Sequence, residues 1–326
     1  MKPLFFTFPL ILLSIIANAT LLSATVAATP PLIQSFSDIY EPSAVIQIDP
    51  TYVLIAEDEG DRPLIRATIT EKKNSLTLVT KRLTQLPVTI DDLEAATSRK
   101  DGKIFLITSH TAKKNGKHKK KRQRLLQITL KNNTISSLTH TDTLLKYIRQ
   151  YLQKSTSLNH TNLTTINIEG LTFDPLQKKL LIGLRAPLHN KKSIILILKN
   201  LYGLEKDKQP IFSASPILLD MQGSGIRAMA FDHNLNLYIL AGEVKNKKGK
   251  LRSRLWSWDG KPDHQPVKLQ LSQLKGVKNI EGITPIHFNG SNYLLLVCDD
   301  GNKDENKGAH YIIFNSKNLQ PGSDKR

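Results

Sequence analysis

Short apolar runs separated by polar turns fill the chain, and one arrangement of them recurs five times. A polar or acidic start leads into a short apolar strand. A turn of Asp, Asn, Gly or Pro follows, then a stronger apolar strand that ends in charged residues. The paired runs are 41–48 and 52–59, 92–97 and 104–110, 167–173 and 180–185, 225–231 and 237–243, and 279–284 and 293–300. A third strand is predicted after each pair, at 64–70, 124–130, 193–199, 254–258 and 310–315. A fourth follows in the first four copies, at 76–82, 134–139, 211–218 and 267–271. Strand-forming residues dominate these runs and turn residues bound them. Four strands per unit at a spacing of roughly 50 residues predicts an all-β fold, a β-propeller of five four-stranded blades.

The last copy lacks a fourth strand, because the stretch 316–326 is a polar tail. A spare strand at 32–37 precedes the first copy. Donating it to the last blade closes the ring and covers an edge that would otherwise stand open. The interval between the second and third copies is longer, about 75 residues. It holds the segment 142–154, whose apolar residues at 144, 145, 148, 151 and 152 have helical spacing. This predicts one inserted amphipathic helix on the outside of the propeller, with Asp142 as its N-cap. A six-bladed ring with one degenerate blade is the alternative count.

Composition then sets the class and the surroundings. A chain of 326 residues with 40% hydrophobic content is long enough for one large domain and is not wholly disordered. A single cysteine excludes an intramolecular disulfide framework and any Cys-rich zinc module. Lys2, the apolar run 4–16 and the small residues Ala17-Asn18-Ala19 read as a secretory signal peptide over 1–19. Val26-Ala27-Ala28 offers an alternative cleavage after residue 28. No later stretch is long and apolar enough for a membrane anchor. The expectation is a monomeric propeller domain over 30–315, periplasmic or secreted. Cys298, inside an apolar run, reads as a buried strand residue.

Several short motifs occur in an order that resembles a known family. They are Asp92-Leu-Glu94, Ser109-His110, Asn167-Ile-Glu-Gly-Leu171, Ile182-Gly-Leu-Arg-Ala-Pro-Leu188, Gly225-Ile-Arg227, Leu255-Trp-Ser-Trp-Asp-Gly260, Glu281-Gly282 and Asp299-Asp-Gly301. The family is bacterial domain-of-unknown-function family 3616, and the resemblance covers about residues 40 to 315. More distantly the chain is similar to extracytoplasmic propellers of the esterase-like and phytase-like kinds. The resemblance implies a propeller and a bacterial origin. It supplies no catalytic residues. The lysine-rich loops depart from the family's usual pattern.

Superposing the five copies puts Glu41, Glu94, Glu169, Arg227 and Glu281 together at the start of the innermost strand. Strands in a blade alternate in direction, so residues leaving the second strand should meet them at one mouth of the channel. Those residues are Glu57, Asp58, Glu59, Ser109, His110, Arg185, Glu243, Asp299 and Asp300. Carboxylates gathered at one radius repel each other, and something must offset that. Calcium or magnesium held by Glu41, Glu94, Glu169 and Glu281 is one candidate, since hard cations take several oxygen ligands. Protonation of one carboxyl is a second, and Glu94, Glu169 and Glu281 are the candidate catalytic acid–base groups. Pairing with Arg185 and Arg227 is a third, and those arginines could also grip an anionic ligand. Ser109 and His110 are adjacent on a strand and point to opposite faces, so they do not form a nucleophile–base pair. Ser109, His110, Glu243, Asp299 and Asp300 complete the set of candidate ligand-binding residues.

Charge adds a second feature. The chain carries 46 Lys and Arg against 28 Asp and Glu, a net +18. Two loops concentrate it, 113–124 with Lys119, Lys120, Lys121 and Arg122, and 245–254 with Lys247, Lys248 and Lys250. Both join the second strand to the third and should rim the carboxylate mouth, steering an anionic small molecule or envelope polymer toward it. The loops lack the interleaved aromatics of a nucleic-acid surface, and export argues against that partner. Trp256 and Trp258 share a strand face and read as blade core. The best-supported expectation is a metal-assisted hydrolase of an anionic ester or phosphoester. The alternative is a non-enzymatic envelope protein that binds anionic polymer or lipid through the basic loops.

Overall fold

A computed structural model describes residues 33–319, apart from 59, 73–74, 113–115, 160, 164, 206–208 and 272–273. The expected signal peptide, Glu59 of the candidate mouth and most of the polar tail therefore lie outside the described residues. Five four-stranded antiparallel sheets follow one another along the chain. The first blade is β2 (Pro42–Asp49), β3 (Tyr52–Glu57), β4 (Leu64–Lys72) and β5 (Ser75–Arg82). The second is β6 (Leu93–Ser98), β7 (Lys103–Thr108), β8 (Leu125–Lys131) and β9 (Thr134–Thr141). The third is β10 (Asn167–Asp174), β11 (Lys179–Ala186), β12 (Ser193–Leu198) and β13 (Ile217–Leu219). The fourth is β14 (Ala228–Asp232), β15 (Leu237–Lys245), β16 (Leu251–Trp258) and β17 (Val267–Lys268). The fifth is β18 (Ile280–Phe288), β19 (Ser291–Cys298) and β20 (His310–Asn315), completed by β1 (Ile33–Ser35). β1 pairs antiparallel with β20, as the pattern of strands required. Each innermost strand packs on the next, and β18 packs on β2, so the ring closes at five.

The second strand of every blade shows why the chain folds this way. Val53 and Ile55 belong to the apolar cluster shared with the fifth blade, whereas Leu54 and Ala56 belong to the one shared with the second. Phe105 and Ile107 likewise face the third blade while Ile104 and Leu106 face the first. A strand with apolar residues on both faces has no solvent side. It is buried only when a blade stands against it on either hand, and a closed ring gives every sheet two neighbours. Trp256 and Trp258 lie buried between the third and fourth blades, as core. Cys298 is buried between the fourth and fifth, and burial pushes its thiol far up.

The insertion forms helix α1 (Leu144–Lys154). Its buried residues Leu144, Leu145, Ile148 and Leu152 are those with the expected spacing, and they join the cluster between the second and third blades. The cap differs from expectation. Thr143 precedes the helix, without a side-chain capping bond, and Asp142 instead faces Lys120 at 3.8 Å. The fourth strands of the third and fourth blades, three and two residues long, are shorter than their apolar runs.

Candidate functional site

A β-bulge at the start of the innermost strand sets the site. In β6, Leu93 pairs with Thr108 and Ala95 with Ile107, which leaves Glu94 as the extra residue. Glu169 is skipped in the same way in β10, and Glu281 in β18. A bulge re-aims the side chain it carries, here at one level in three blades. In the first blade the skipped residue is Ser43, between Pro42 and Ala44. The expected fifth member, Glu41, is two residues upstream and exposed. It stands where Asp92 and Asn279 stand in their blades, each receiving the backbone N–H that leaves the second strand. Ser43 is buried and bonds the carbonyl of Ala56. Aligning Pro-Ser-Ala with Ile-Glu-Gly would have found it. In the fourth blade Arg227 occupies the position, and its N–H donates to the Ala241 carbonyl.

Arg227 is the centre of the cluster. It is 6% exposed and touches three carboxylates from three blades. Its Nε lies 3.3 Å from Glu169 Oε2, its Nη1 lies 3.7 Å from Glu243 Oε2, and its Nη2 bonds Glu281 Oε1. Glu169, 2% exposed, also accepts from Arg185 Nη1 at 2.5 Å and from Asn167 Nδ2 at 3.0 Å. The Arg185 side chain is 46% exposed, so the guanidinium bridges the buried cluster and solvent. Burial opposes its charge, but Glu169, Glu94 and Glu243 outweigh that and raise its pKa. Asn167 opens the Asn-Ile-Glu-Gly-Leu motif. It anchors Glu169, and its counterpart Asn279 donates to the Asp299 carbonyl at 2.7 Å.

Two carboxyls stand apart. Among the described residues Glu94 and Asp299 have neither an ion pair nor a side-chain hydrogen bond. Burial pushes the Glu94 carboxyl well above the usual range, helped by Glu169, Asp92 and Asp58 and opposed by Arg227. Burial also raises Asp299, with Asp300 adding to it and Arg227 and Arg185 working against it. Asp300 points elsewhere, accepting from the N–H and Nδ1 of His310 at 2.9 and 2.7 Å. Glu57 is engaged within its own blade, accepting from Arg82 at 2.6 Å and from the Tyr40 N–H at 2.8 Å.

Ser109 and His110 are placed apart, as their adjacency demands. Ser109 Oγ bonds Asp92 and Thr111, in a network that Arg122 joins through Asp92 at 3.1 Å. His110 is fully buried, with Nδ1 at 2.7 Å from the Thr108 carbonyl. Burial holds its imidazole down to about 4, so it is neutral and enclosed, away from any ligand in solution.

The basic rim is only partly free. Lys121 and Arg122 pair with Asp91 at 2.9 and 3.2 Å, which fastens the loop to its own blade. Lys119 is half-buried and Lys120 is 84% exposed. Lys247, Lys248 and Lys250 are exposed at the turn between β15 and β16.

No three His, Cys, Asp or Glu side chains gather as a metal-ligand set among the described residues. Arg227 stands between Glu169, Glu243 and Glu281 and supplies the positive charge a cation would bring. Below the ring the channel narrows to about 10 Å³ of free space, room for one water at most. The mouth is therefore a pit above a narrow waist.

Close approach of the blades also fixes the pit. A methyl group on Gly225 would land on the backbone carbonyl of Arg185. Gly225→Ala is therefore expected to destabilise the fold by about 1–3 kcal/mol, read as a lower melting temperature, because backbone cannot give way as a side chain can.

The fold and site define a five-bladed β-propeller with a buried Glu–Arg cluster at one end of its channel. Residues 83–315 match the family described as Protein of unknown function (DUF3616), and the chain belongs to it. No curated protein matches. Among solved structures, an α-L-arabinofuranosidase from Podospora anserina in complex with cellotriose is 12% identical, with 88% of this chain and 95% of that one covered at a TM-score of 0.45. A GH43_1 enzyme from Xanthomonas citri is 8% identical over 88% and 90% at 0.48. A putative oxidoreductase (glucose dehydrogenase) from Thermus thermophilus is 10% identical over 87% and 100% at 0.43. At such low identity they bear on neither substrate nor chemistry.

Proposed function

We propose that the pit is an acid–base site that hydrolyses a small anionic ester or phosphoester. The carrying observation is Glu94: among the described residues it has no side-chain partner, while Glu169, Glu243 and Glu281 of the same cluster are held by arginine. A carboxyl whose pKa burial raises well above the usual range is poised to donate a proton. Arg185, half in solvent, would grip the substrate's anionic group. Asp299 would take a proton from the attacking water as its oxygen bonds the acyl carbon or phosphorus. Glu94 would give its proton to the leaving oxygen as the old ester bond breaks. Arg227 offsets the carboxylates, so this reading needs no calcium or magnesium in the ring. We further propose, from residues 1–19, that the protein works in the periplasm or outside the cell.

The test is a panel of p-nitrophenyl phosphate, bis-p-nitrophenyl phosphate and p-nitrophenyl hemisuccinate with the purified protein. Turnover of one of them is expected, unaffected by EDTA. Glu94→Gln should reduce it by about 100-fold or more, and Asp299→Asn similarly. No turnover of any of the three, or full activity in Glu94→Gln, would overturn the reading. Exposed Lys247, Lys248 and Lys250 favour the second reading, a protein that binds anionic polymer or lipid. It predicts dextran sulfate binding that the triple change to Gln removes and Glu94→Gln leaves intact.

A further inference from the structure

The channel's larger space lies at its other end. The inner strands of all five blades finish there around a cavity of about 280 Å³. The narrow waist lies between it and the Glu–Arg pit. Its walls differ from the pit in kind. Phe173, Phe231 and Met229 are among them, and most polar groups there are already engaged. Thr97 Oγ1 accepts from the Phe173 N–H at 2.9 Å, and Gln47 exchanges bonds with the backbone of His287 at 2.8 and 2.9 Å. These bonds tie neighbouring blades.

A recess of about 450 Å³ adjoins this cavity and shares Ser98, Phe173 and His233 with it. Phe173 and Pro175 form its apolar side. Arg99, Lys100 and Lys178 bring positive charge, against one carboxylate, Asp101, which Arg99 already holds at 2.6 Å. Lys100, Lys178 and the Ser98 hydroxyl make no hydrogen bond or ion pair among the described residues. His233 stands edge-on to Phe231, ring centroids 5.1 Å apart. Burial and the nearby Lys100 hold the imidazole below its ordinary value, so it is uncharged at neutral pH. The two spaces together present aromatic walls leading to two unspent ammonium groups.

We propose that this end of the channel binds a planar organic anion, an aromatic ring bearing one carboxylate. The ring lies against Phe173 and Phe231, and the carboxylate meets Lys100, Lys178 and the Ser98 hydroxyl. Apolar walls with a few convergent polar groups are the general form of a small-molecule site. The paired charges select for an anion, and the flat walls select for a ring. This site is independent of the chemistry assigned to the pit.

The probe is 2-naphthoate, titrated into the full chain and followed by calorimetry, with 2-naphthalenemethanol as its uncharged counterpart. Saturable one-to-one binding of 2-naphthoate is expected, with the alcohol bound more weakly. The double variant Lys100→Ala, Lys178→Ala, altered only at exposed positions, should bind about tenfold more weakly. Ser98→Phe, which fills the junction of the two spaces, should abolish binding while Glu94→Gln leaves it unchanged. Absence of saturable binding, equal affinity for the alcohol, or an unchanged affinity in the lysine double variant would overturn the proposal. Loss of binding in Glu94→Gln would do so too, by placing the probe in the pit.

Discussion

Arg227→Met is expected to lower stability by about 3–5 kcal/mol, the cost of leaving a buried ion cluster without its partner. The size follows from the number of charges released. Glu169, Glu243 and Glu281 come from three blades, and each loses a cation within 3.7 Å. Among the described residues Arg185 forms an ion pair with Glu169 alone and is half in solvent, so it does not replace the contacts of Arg227. For a domain of this size the drop in melting temperature is on the order of 10 °C. Restoring charge balance should recover part of it. Arg227→Met combined with Glu281→Gln should melt above Arg227→Met alone, since contacting groups are not additive. A melting temperature within about 2 °C of wild type for Arg227→Met would show that the cluster contributes little.

That cluster was partly legible in the sequence. Ile-Glu-Gly occurs twice, at 168–170 and 280–282, and Leu-Glu-Ala at 93–95 and Ile-Arg-Ala at 226–228 repeat its form. The three Glu triplets are bulges, with an apolar residue before the charged one and a small residue after it, and the Arg triplet keeps the same order of residue types at the start of β14. The first blade hid its member because Glu41 draws attention and Ser43 does not. Only the register, Pro42 opposite Glu57 and Ala44 opposite Ala56, separates them. The role of Arg227 was harder to foresee. One arginine among glutamates reads as one more charge at a radius, and nothing in the order of residues says that its guanidinium reaches three of them. The basic loop was legible as charge and misleading as surface. Lys121 and Arg122 are neutralised by Asp91, 30 residues earlier, which is adjacent only once β6 and β8 belong to one blade.

The blade pattern itself was legible because every second strand is apolar on both faces, a requirement that few folds impose. The opposite channel end was not. Phe173, Phe231 and His233 look like ordinary strand-end residues, and the cavity exists only because five strands stop at the same height.

Glu94→Gln is expected to do two things that pull apart: abolish chemistry in the pit and stabilise the fold at neutral and alkaline pH. The sign comes from linkage. The Glu94 pKa is raised above 4.5 in the folded state. Below that value both folded and unfolded chains hold the proton, and the group has no effect. Above it the unfolded chain releases the proton and the folded one retains it, so rising pH favours unfolding by up to about 1.4 kcal/mol per pH unit. The loss continues until pH passes the folded-state value, where the ionised carboxylate is trapped beside Glu169, Asp92 and Asp58. Glutamine keeps the shape and cannot ionise, so this slope disappears from the variant. Melting curves of both proteins should coincide near pH 4 and separate as pH rises toward the raised folded-state value, with the variant the higher. A variant that melts lower at every pH would mean that the carboxylate supports the fold, and the proton-donor assignment would fall with it. A variant both more stable and inactive would identify Glu94 as a group kept for chemistry at the expense of stability.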